Sequence, residues 1–365
     1  MFNNIYKNKK VLVTGNTGFK GSWLTVWLLN LGAKVYGISK GIPTEPSMFK
    51  ALKLENEITY FEEDINDLNK ITQIIDKIRP DFIFHLAAQA IVSRSYANPI
   101  ESFNTNVLGT AHVLEAMRVL NFKSTLIMIS SDKCYENVEW KWGYRENDHL
   151  GGKDPYSASK GACEIVIHSY YHSFFKNENS NVRLVSVRAG NVIGGGDWAE
   201  KRLVPDCIRA WSENKVVEIR NPQSTRPWQH VLEPLSGYLR VGQVLHENRK
   251  INGEAYNFGP PADQIHNVME MLDNLKKYWS DSNEVLHEVT NKQSFHEAGL
   301  LKLNCDKALA ELNWIPVLDF KKTTRMTAKW YKQFYKGNSK MLKFTFEQIN
   351  EYCSFAKEKD LVWTH

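Results

Sequence analysis

The sequence predicts an α/β protein: a doubly wound parallel sheet followed by a smaller C-terminal α/β lobe. Three observations predict it. Short apolar runs of strand length alternate with helical patterns through the first half of the chain. A glycine-spaced loop, Gly15-Asn-Thr-Gly18-Phe-Lys-Gly21, joins the first such run to the first helical pattern. Past about Gly190 the alternation gives way to a segment rich in glycine, proline and tryptophan, including Gly194 to Gly196, Trp198, Pro205, Trp211, Pro222, Pro227 and Trp228.

Lys10 to Thr14 (KVLVT) reads as a short buried strand, and Ser22 to Leu31 as a helix that stops at Gly32. Lys34 to Ser39 is a second strand and Ile58 to Asp64 a third, before a helix from about Leu68 to Ile78. Asp81 to Ala87 forms a fourth strand, leading into a long helix from about Pro99 to Leu120. Ser124 to Ser130 is a fifth strand, a helix containing Tyr156 follows, and Val182 to Arg188 is a sixth. Residues 1–189 thus read as one sheet-forming domain, and 190–365 mainly as a second lobe with possible returns to the first. That lobe has helices near Pro205–Asn214, Leu232–Glu247 and Val268–Trp279. Beyond Leu318 an amphipathic tail carrying Trp330, Tyr331, Phe334, Tyr335, Phe344 and Phe346 reads as one or two helices covering the core.

Bulk properties narrow the function classes. The chain has 365 residues, enough for a sizeable core, and its formal charge of +5 is small for that length. No Lys/Arg-dense block stands out, so an anionic small ligand fits and a nucleic acid does not. Five scattered cysteines without a Cys-x-x-Cys pair argue for a reducing compartment and against structural zinc. No apolar run approaches the ~18 residues of a membrane span, and no signal-type stretch follows Lys7, Lys9 and Lys10. The expectation is a soluble, cytoplasmic protein without metal.

Two features carry chemistry. Gly15 and Gly18 let the backbone turn sharply and approach a pyrophosphate, while Gly21 lets the helix pack on the sheet. The phosphates then meet the N–H groups at the start of that helix, so the loop predicts dinucleotide binding. Tyr156-Ser-Ala-Ser-Lys160 places a tyrosine and a lysine four apart on one helix face. An ammonium beside a phenol favours the phenolate, which makes a usable general base. The end of the second strand, Gly37-Ile-Ser39-Lys40, lacks the acid that commonly holds the adenosine ribose. Ser39 could bond that ribose and Lys40 could instead attract a 2′-phosphate, so both NAD and NADP stay open.

The Gly-x-x-Gly-x-x-Gly spacing, with Asp64-Ile65, His85-Leu-Ala87-Ala88, Asn106, Tyr156 and Lys160, resembles the short-chain dehydrogenase/reductase superfamily in its extended, nucleotide-sugar branch, which has a Rossmann-like fold. The resemblance implies that Gly15, Thr17, Gly18, Phe19, Lys20, Gly21, Ser39, Asp64, Ile65, Leu86, Ala87, Ala88, Asn106, Tyr156 and Lys160 hold the cofactor. It also implies that the helices near Pro99–Leu120 and Tyr156–Phe175 form a homodimer or dimer-of-dimers interface, with Val113, Met117, Ile165 and Ile167 as apolar candidates.

Between about residues 8 and 335 the likeness narrows. Thr17 to Leu24, Ser131-Asp-Lys-Cys-Tyr-Glu-Asn137, Trp142 to Glu146, Arg188-Ala-Gly-Asn-Val-Ile-Gly-Gly-Gly-Asp-Trp-Ala-Glu200, Arg226 to Gly237 and Asn257-Phe-Gly-Pro260 resemble the family of CDP-glucose 4,6-dehydratases. That implies a nucleotide-diphosphate sugar as substrate, with CDP-glucose first. Dehydratases or 4-epimerases of GDP-, TDP- or UDP-sugars remain the alternative. Implied catalytic residues are Tyr156, Lys160, Ser131, Asp132 and Lys133. Where related TDP-glucose enzymes have Thr-Asp-Glu, this chain has Ser131-Asp132-Lys133, so Lys133 is either the base at sugar C5 or a partner of a phosphate or carboxylate. Implied substrate contacts are Gln89, Arg94, Asn191, Trp198, Arg202, Leu203, Arg226 and His230, with the arginines suited to a diphosphate.

Overall fold

The computed structural model describes residues 1–219, 221–279, 287–289 and 300–365. Its frame is a seven-stranded parallel sheet of β1 (Lys10–Thr14), β2 (Lys34–Ser39), β3 (Thr59–Glu62), β4 (Phe82–His85), β5 (Ser124–Ile129), β6 (Val182–Ala189) and β7 (Ala255–Phe258). The spatial order is β7-β6-β5-β4-β1-β2-β3. It reverses direction between β1 and β4, and ligands of such sheets bind at that crevice, beyond the carboxyl ends of the strands.

Six strands fall where apolar runs predict them. The seventh went unread because Ala255–Phe258 is a four-residue piece inside the irregular half, bounded by Gly253 and Gly259. It returns to pair with β6, Ala255 against Ser186 through Phe258 against Ala189. Side chains alternate across the sheet. Val11, Val13, Phe82 and Phe84 enter one buried cluster, while Leu12, Ile83, Leu126 and Met128 enter another.

The helices begin where capping chemistry places them. α1 (Phe19–Asn30) starts three residues before the expected Ser22, because the Ser22 N–H already bonds the Gly18 carbonyl at 2.8 Å. Its N-terminus therefore opens onto the glycine loop. α2 (Leu68–Ile78) is capped by Asp67, which accepts from the Lys70 N–H, and buries Ile71, Ile74, Ile75 and Ile78. The expected helix from Pro99 to Leu120 is interrupted by a π turn at Asn104–Leu108 before α3 (Gly109–Leu120). That wider turn sets Asn106 inward, 1% exposed. α4 (Pro155–Tyr170) is fixed at its start by Pro155 in the first turn and by Asp154, which accepts from the Ser157 N–H at 3.0 Å. Val113, Met117 and Ile167, expected at a dimer interface, are buried under the sheet, whereas Ile165 is 60% exposed.

In the second half, α5 (Leu203–Ser212), α6 (Leu232–Glu247) and α7 (Val268–Trp279) match the expected helices closely. α6 packs against β5 and β6 and so belongs to the sheet it follows. The tail forms α8 (Phe320–Tyr335) and α9 (Met341–Glu358), which cover the core as expected. α9 lies against α1, with Tyr352 edge-on to Trp27 at 5.6 Å and stacked on Trp363 at 5.9 Å. Phe2 stacks on the same Trp363 at 5.1 Å, so the two chain ends close one aromatic cluster.

Glu233, in the first turn of α6, is the polar joint of this half. Its carboxyl accepts from the Val317 and Leu318 N–H groups and from the Tyr352 hydroxyl at 2.8 Å. Burial outweighs these donors and pushes it from the ordinary 4.5 up to about 7. The folded carboxyl thus holds its proton more tightly than the unfolded one. Its contribution to stability is complete below the unfolded value and is lost as pH rises through about 7. Glu233→Gln keeps the uncharged form, so its melting temperature should fall less between about pH 5 and 8 than that of the parent. Parallel melting curves over that range would refute the assignment.

Candidate active site

The site assembles from the ends of β1, β4, β5 and β6 and the first turns of α1 and α4. Glycine is required twice in the loop. Gly15 sits at φ +73° with its Cα against the next strand end, where a Cβ would come 2.7 Å from the Ala87 nitrogen. At Gly21 a Cβ would lie 2.1 Å from the Gly15 carbonyl oxygen. The turn is therefore a cradle of bare backbone facing a helix N-terminus, which suits a pyrophosphate.

Around the cradle, several expected cofactor residues order the loops. Thr14 accepts from the Ala87 N–H at 3.2 Å and reaches His85 Nδ1 at 2.8 Å. The Thr110 hydroxyl is spent on the Asn106 carbonyl, so His85 Nε2, 3.1 Å away, carries the imidazole proton and donates to Thr110. Burial, with Lys160 beside it, drives the His85 pKa down to about 3 and keeps the ring neutral. Asn106 holds Gln89 through both main-chain groups, at 2.8 and 3.1 Å, and donates to Ser159 on α4 at 2.8 Å. Ile65 lies under Gly109, where a Cβ would collide with it at 2.4 Å. Thr17 donates its hydroxyl to the Gly41 carbonyl, and Phe19 packs on the core beside Gly194. Leu86 and Ala88 follow β4 in the same loop.

The catalytic candidates converge. Ser131 and Asp132 lie just past β5, beyond Ser130, 7% and 4% exposed, and the Ser131 hydroxyl donates to Asp132 Oδ1 at 2.9 Å. Ser131 Oγ also accepts from the Lys133 N–H at 3.2 Å, leaving the half-buried Lys133 to project from the short turn Asp132–Cys134. The Asp132 carboxyl rests on Gly190, where a Cβ would fall 1.8 Å from Oδ2. Asn191 then takes a left-handed conformation, φ 52°, tolerated by asparagine. Tyr156 and Lys160, 7% and 4% exposed, present one face of α4. A cleft lined by Asp132, Gly190, Asn191, Pro227, Leu301 and Leu303 opens at the Asp132–Cys134 turn, against which α4 packs.

Electrostatics bind the halves together. Lys20 is partly buried, and desolvation lowers its pKa to about 8. Asp132 and Asp197 oppose that shift, while Arg202 and Lys160 add to it. Arg202 in turn pairs with Asp197 at 2.8 Å and feels the Tyr156 phenol. Lys20, expected at the cofactor, therefore stands among the groups expected to meet the sugar and its diphosphate.

Four other expected substrate contacts are taken up by the protein itself, and two stand next to the residues already described. Trp198 is 3% exposed among Trp330, Tyr331 and Phe334, because α8 takes its ring into the core. His230 is fully buried, edge-on to Trp23, with burial lowering its pKa to about 3. Gln89 spends its amide on Ser102 and on the Ile91 N–H. Arg94 is a surface residue forked onto Glu101 at 2.6 and 2.9 Å. Leu203 opens α5 beside Arg202, and Arg226, next to the cleft residue Pro227, donates to the Thr225 carbonyl at 2.9 Å.

Comparison with known proteins follows the geometry. A family model described as GDP-mannose 4,6 dehydratase matches residues 12–327. The chain belongs to that family. Within its reach, a CDP-glucose 4,6-dehydratase of Salmonella typhimurium is 45% identical over 354 residues, covering 96% of this chain and 98% of that one. A dTDP-glucose 4,6-dehydratase of Haemophilus influenzae is 29% identical, with 88% and 97% covered. A solved dTDP-glucose 4,6-dehydratase of Bacillus anthracis, in complex with NAD, shares the fold at a TM-score of 0.72 and 21% identity, covering 91% of this chain and 99% of that one.

Behind the site lies a buried ion pair that joins α4 to β6. Glu164, one turn past Lys160, takes Arg188 of β6 in a fork at 2.9 Å on each arm, both side chains nearly inaccessible. Removing one partner strands a buried charge, so Arg188→Met should cost about 3–5 kcal/mol and Glu164→Gln nearly as much, while the double substitution recovers part of the loss. Urea unfolding measures this. Strict additivity would show that the pair does not act as a unit.

Proposed function

We propose that this chain is a CDP-glucose 4,6-dehydratase, converting CDP-D-glucose to CDP-4-keto-6-deoxy-D-glucose and water. One observation carries the choice of reaction: the buried Asp132, seated on Gly190, stands on the turn against which the helix of Tyr156 and Lys160 packs, and Asp132 and Lys160 both act on the Lys20 ammonium. A 4-epimerase needs the pair but no acid for a departing 6-hydroxyl. The near-full-length likeness to the Salmonella typhimurium CDP-glucose enzyme supports the base and the sugar.

The glycine cradle, Ser39, Asp64, Ile65, the Leu86–Ala88 loop, Asn106, Tyr156 and Lys160 fit NAD. When bound, it supplies a store for the hydride taken from C4 and given back at C6. Tyr156 accepts the 4-hydroxyl proton, with Lys160 one turn below as the compensating charge. Ser131 hydrogen-bonds the same oxygen. The resulting ketone acidifies C5–H, whose proton passes to a base, for which Lys133 is the candidate. Asp132 gives its proton to the 6-hydroxyl, which leaves as water. A proton then returns to C5, so the sugar loses one water with no net redox change. Arg202, Arg226 and Asn191 hold the diphosphate from the lobe side. Exposed Ile100, Leu108, Ile165 and Phe174 near α3 and α4 fit a homodimer face. Among the described residues no helix is long and apolar enough to cross a membrane.

The deciding experiment gives the purified protein and NAD+ a panel of CDP-, TDP-, UDP- and GDP-sugars and follows the loss of one water by mass spectrometry. Dehydration of CDP-glucose without net NADH is expected, and dehydration of another sugar instead would overturn the substrate. For Lys133, the alanine variant in D2O should still oxidise C4 but exchange C5–H at least ~100-fold more slowly. Undiminished exchange would remove Lys133 from the base role.

A further inference from the structure

Residues 194–202 lead from the strand end at Gly190 to the first turn of α5, and α8 pins them at Gly195, Asp197 and Trp198. Trp330 lies on Gly195, where a Cβ would fall 2.2 Å from its Cγ. The Tyr335 hydroxyl accepts from the Trp198 indole N–H at 3.2 Å. Between these two contacts the Tyr331 hydroxyl serves one residue twice. It accepts from the Asp197 N–H at 3.1 Å and donates to the Asp197 carbonyl. Burial holds the phenol well above its ordinary pKa, so it stays protonated and keeps both roles. Tyr331 and Asp197 are 0% and 4% exposed, and loss of that hydroxyl would leave main-chain groups of a buried residue unpaired.

Asp197 spends its carboxyl on the same turn. Oδ1 accepts from the Ala199 N–H at 3.0 Å, and Oδ2 accepts from Arg202 Nη1 at 2.8 Å. The Arg202 side chain keeps 38% of its surface exposed, and among the described residues Nη1 is its one engaged arm. Asp197 thus holds the guanidinium in place and leaves the rest of its fork open to an anion. Arg202 also acts on the Lys20 ammonium and is acted on by the Tyr156 phenol, so it stands at the active-site end of its lobe.

We propose that Tyr331 is a positioning residue for diphosphate binding: through Asp197 it holds Arg202 where the phosphates of the substrate would meet it. This rests on the reading of Arg202 as a diphosphate ligand. It brings α8, which lies past every motif of the sequence, into the working of the site. Phenylalanine at 331 would fill the same space and drop the hydroxyl alone.

Isothermal titration of the full chain with CDP and with NAD+, and steady-state kinetics with CDP-glucose, test it; if UDP, TDP or GDP binds more tightly than CDP, that nucleotide and its glucose ester take their place. Tyr331→Phe should weaken CDP binding about tenfold and raise KM to match, as loss of a hydrogen-bonded charge contact does. Its kcat and its NAD+ affinity should stay within about twofold of the parent. Thr345→Val is the control. It removes the hydroxyl that accepts from Trp330 Nε1 at 3.0 Å, which loosens α8 away from Asp197, so it should lower the melting temperature and leave KM unchanged. CDP affinity and KM unmoved by Tyr331→Phe, or moved equally by both variants, would overturn the proposal. Should Tyr331→Phe fail to fold, Asp197→Asn decides, because one amide oxygen cannot replace the two that Ala199 and Arg202 use. Weaker CDP binding is then expected, and unchanged or tighter binding is fatal. Failure of the unaltered protein to bind any of the four nucleoside diphosphates would overturn the diphosphate reading itself, and the proposal with it.

Discussion

Glu164 and Arg188 form an ion pair in the interior, and the geometry of the cleft is drawn from it. Two charges removed from water cost several kcal/mol each unless every arm is satisfied. Here they are: Ser130 and Ser186 donate to the Glu164 oxygens, and Arg188 reaches the Tyr135 hydroxyl and the Glu146 carbonyl besides its fork. Tyr135 continues to Asn257, whose N–H returns to Glu146. The pair therefore ties α4, β5, β6, the residue after β5 and the seventh strand at one point. Lys160 lies one turn before Glu164, and Gly190 lies two residues after Arg188. Fixing the pair fixes the face that bears Tyr156 and Lys160 against the strand end on which Asp132 rests.

The same constraint explains why sequence patterns reached the catalytic core and not the lobe. Strand and helix periodicities, the glycine spacing and the Tyr156–Lys160 interval are local, and each was legible as such. The position of Asp132 depends on an absent side chain 58 residues away, at Gly190. No periodicity announces that need, and only the Arg188-to-Glu200 motif marked the place. Trp198 and His230 mislead for a related reason. Their orientation is decided by Trp330, Tyr331 and Phe334 of α8 and by Trp23 of α1, contacts that span more than a hundred residues of sequence. A tryptophan beside a binding motif is as ready to fill a core as to stack on a ligand, and only tertiary packing separates the two. β7 escaped detection likewise, since its pairing with β6 is long-range and its own sequence is too short to carry a pattern.

Lys20 joins the two halves more closely than any pattern suggested. It sits in the glycine loop, yet its charge environment is made by Asp132, Arg202, Lys160 and Asp197. Of these, Asp197 is already paired with Arg202 at 2.8 Å, so the Lys20 ammonium shares its carboxylates with other cations. A desolvated cation of this kind is costly alone and is relieved by an anion. The proposed substrate and cofactor would each bring two phosphates toward these cations. Such a charge would offset the desolvation that lowers the Lys20 pKa. The loop, read first as a cofactor signature, therefore also faces the proposed substrate, and the sheet's switch point between β1 and β4 is where both can meet.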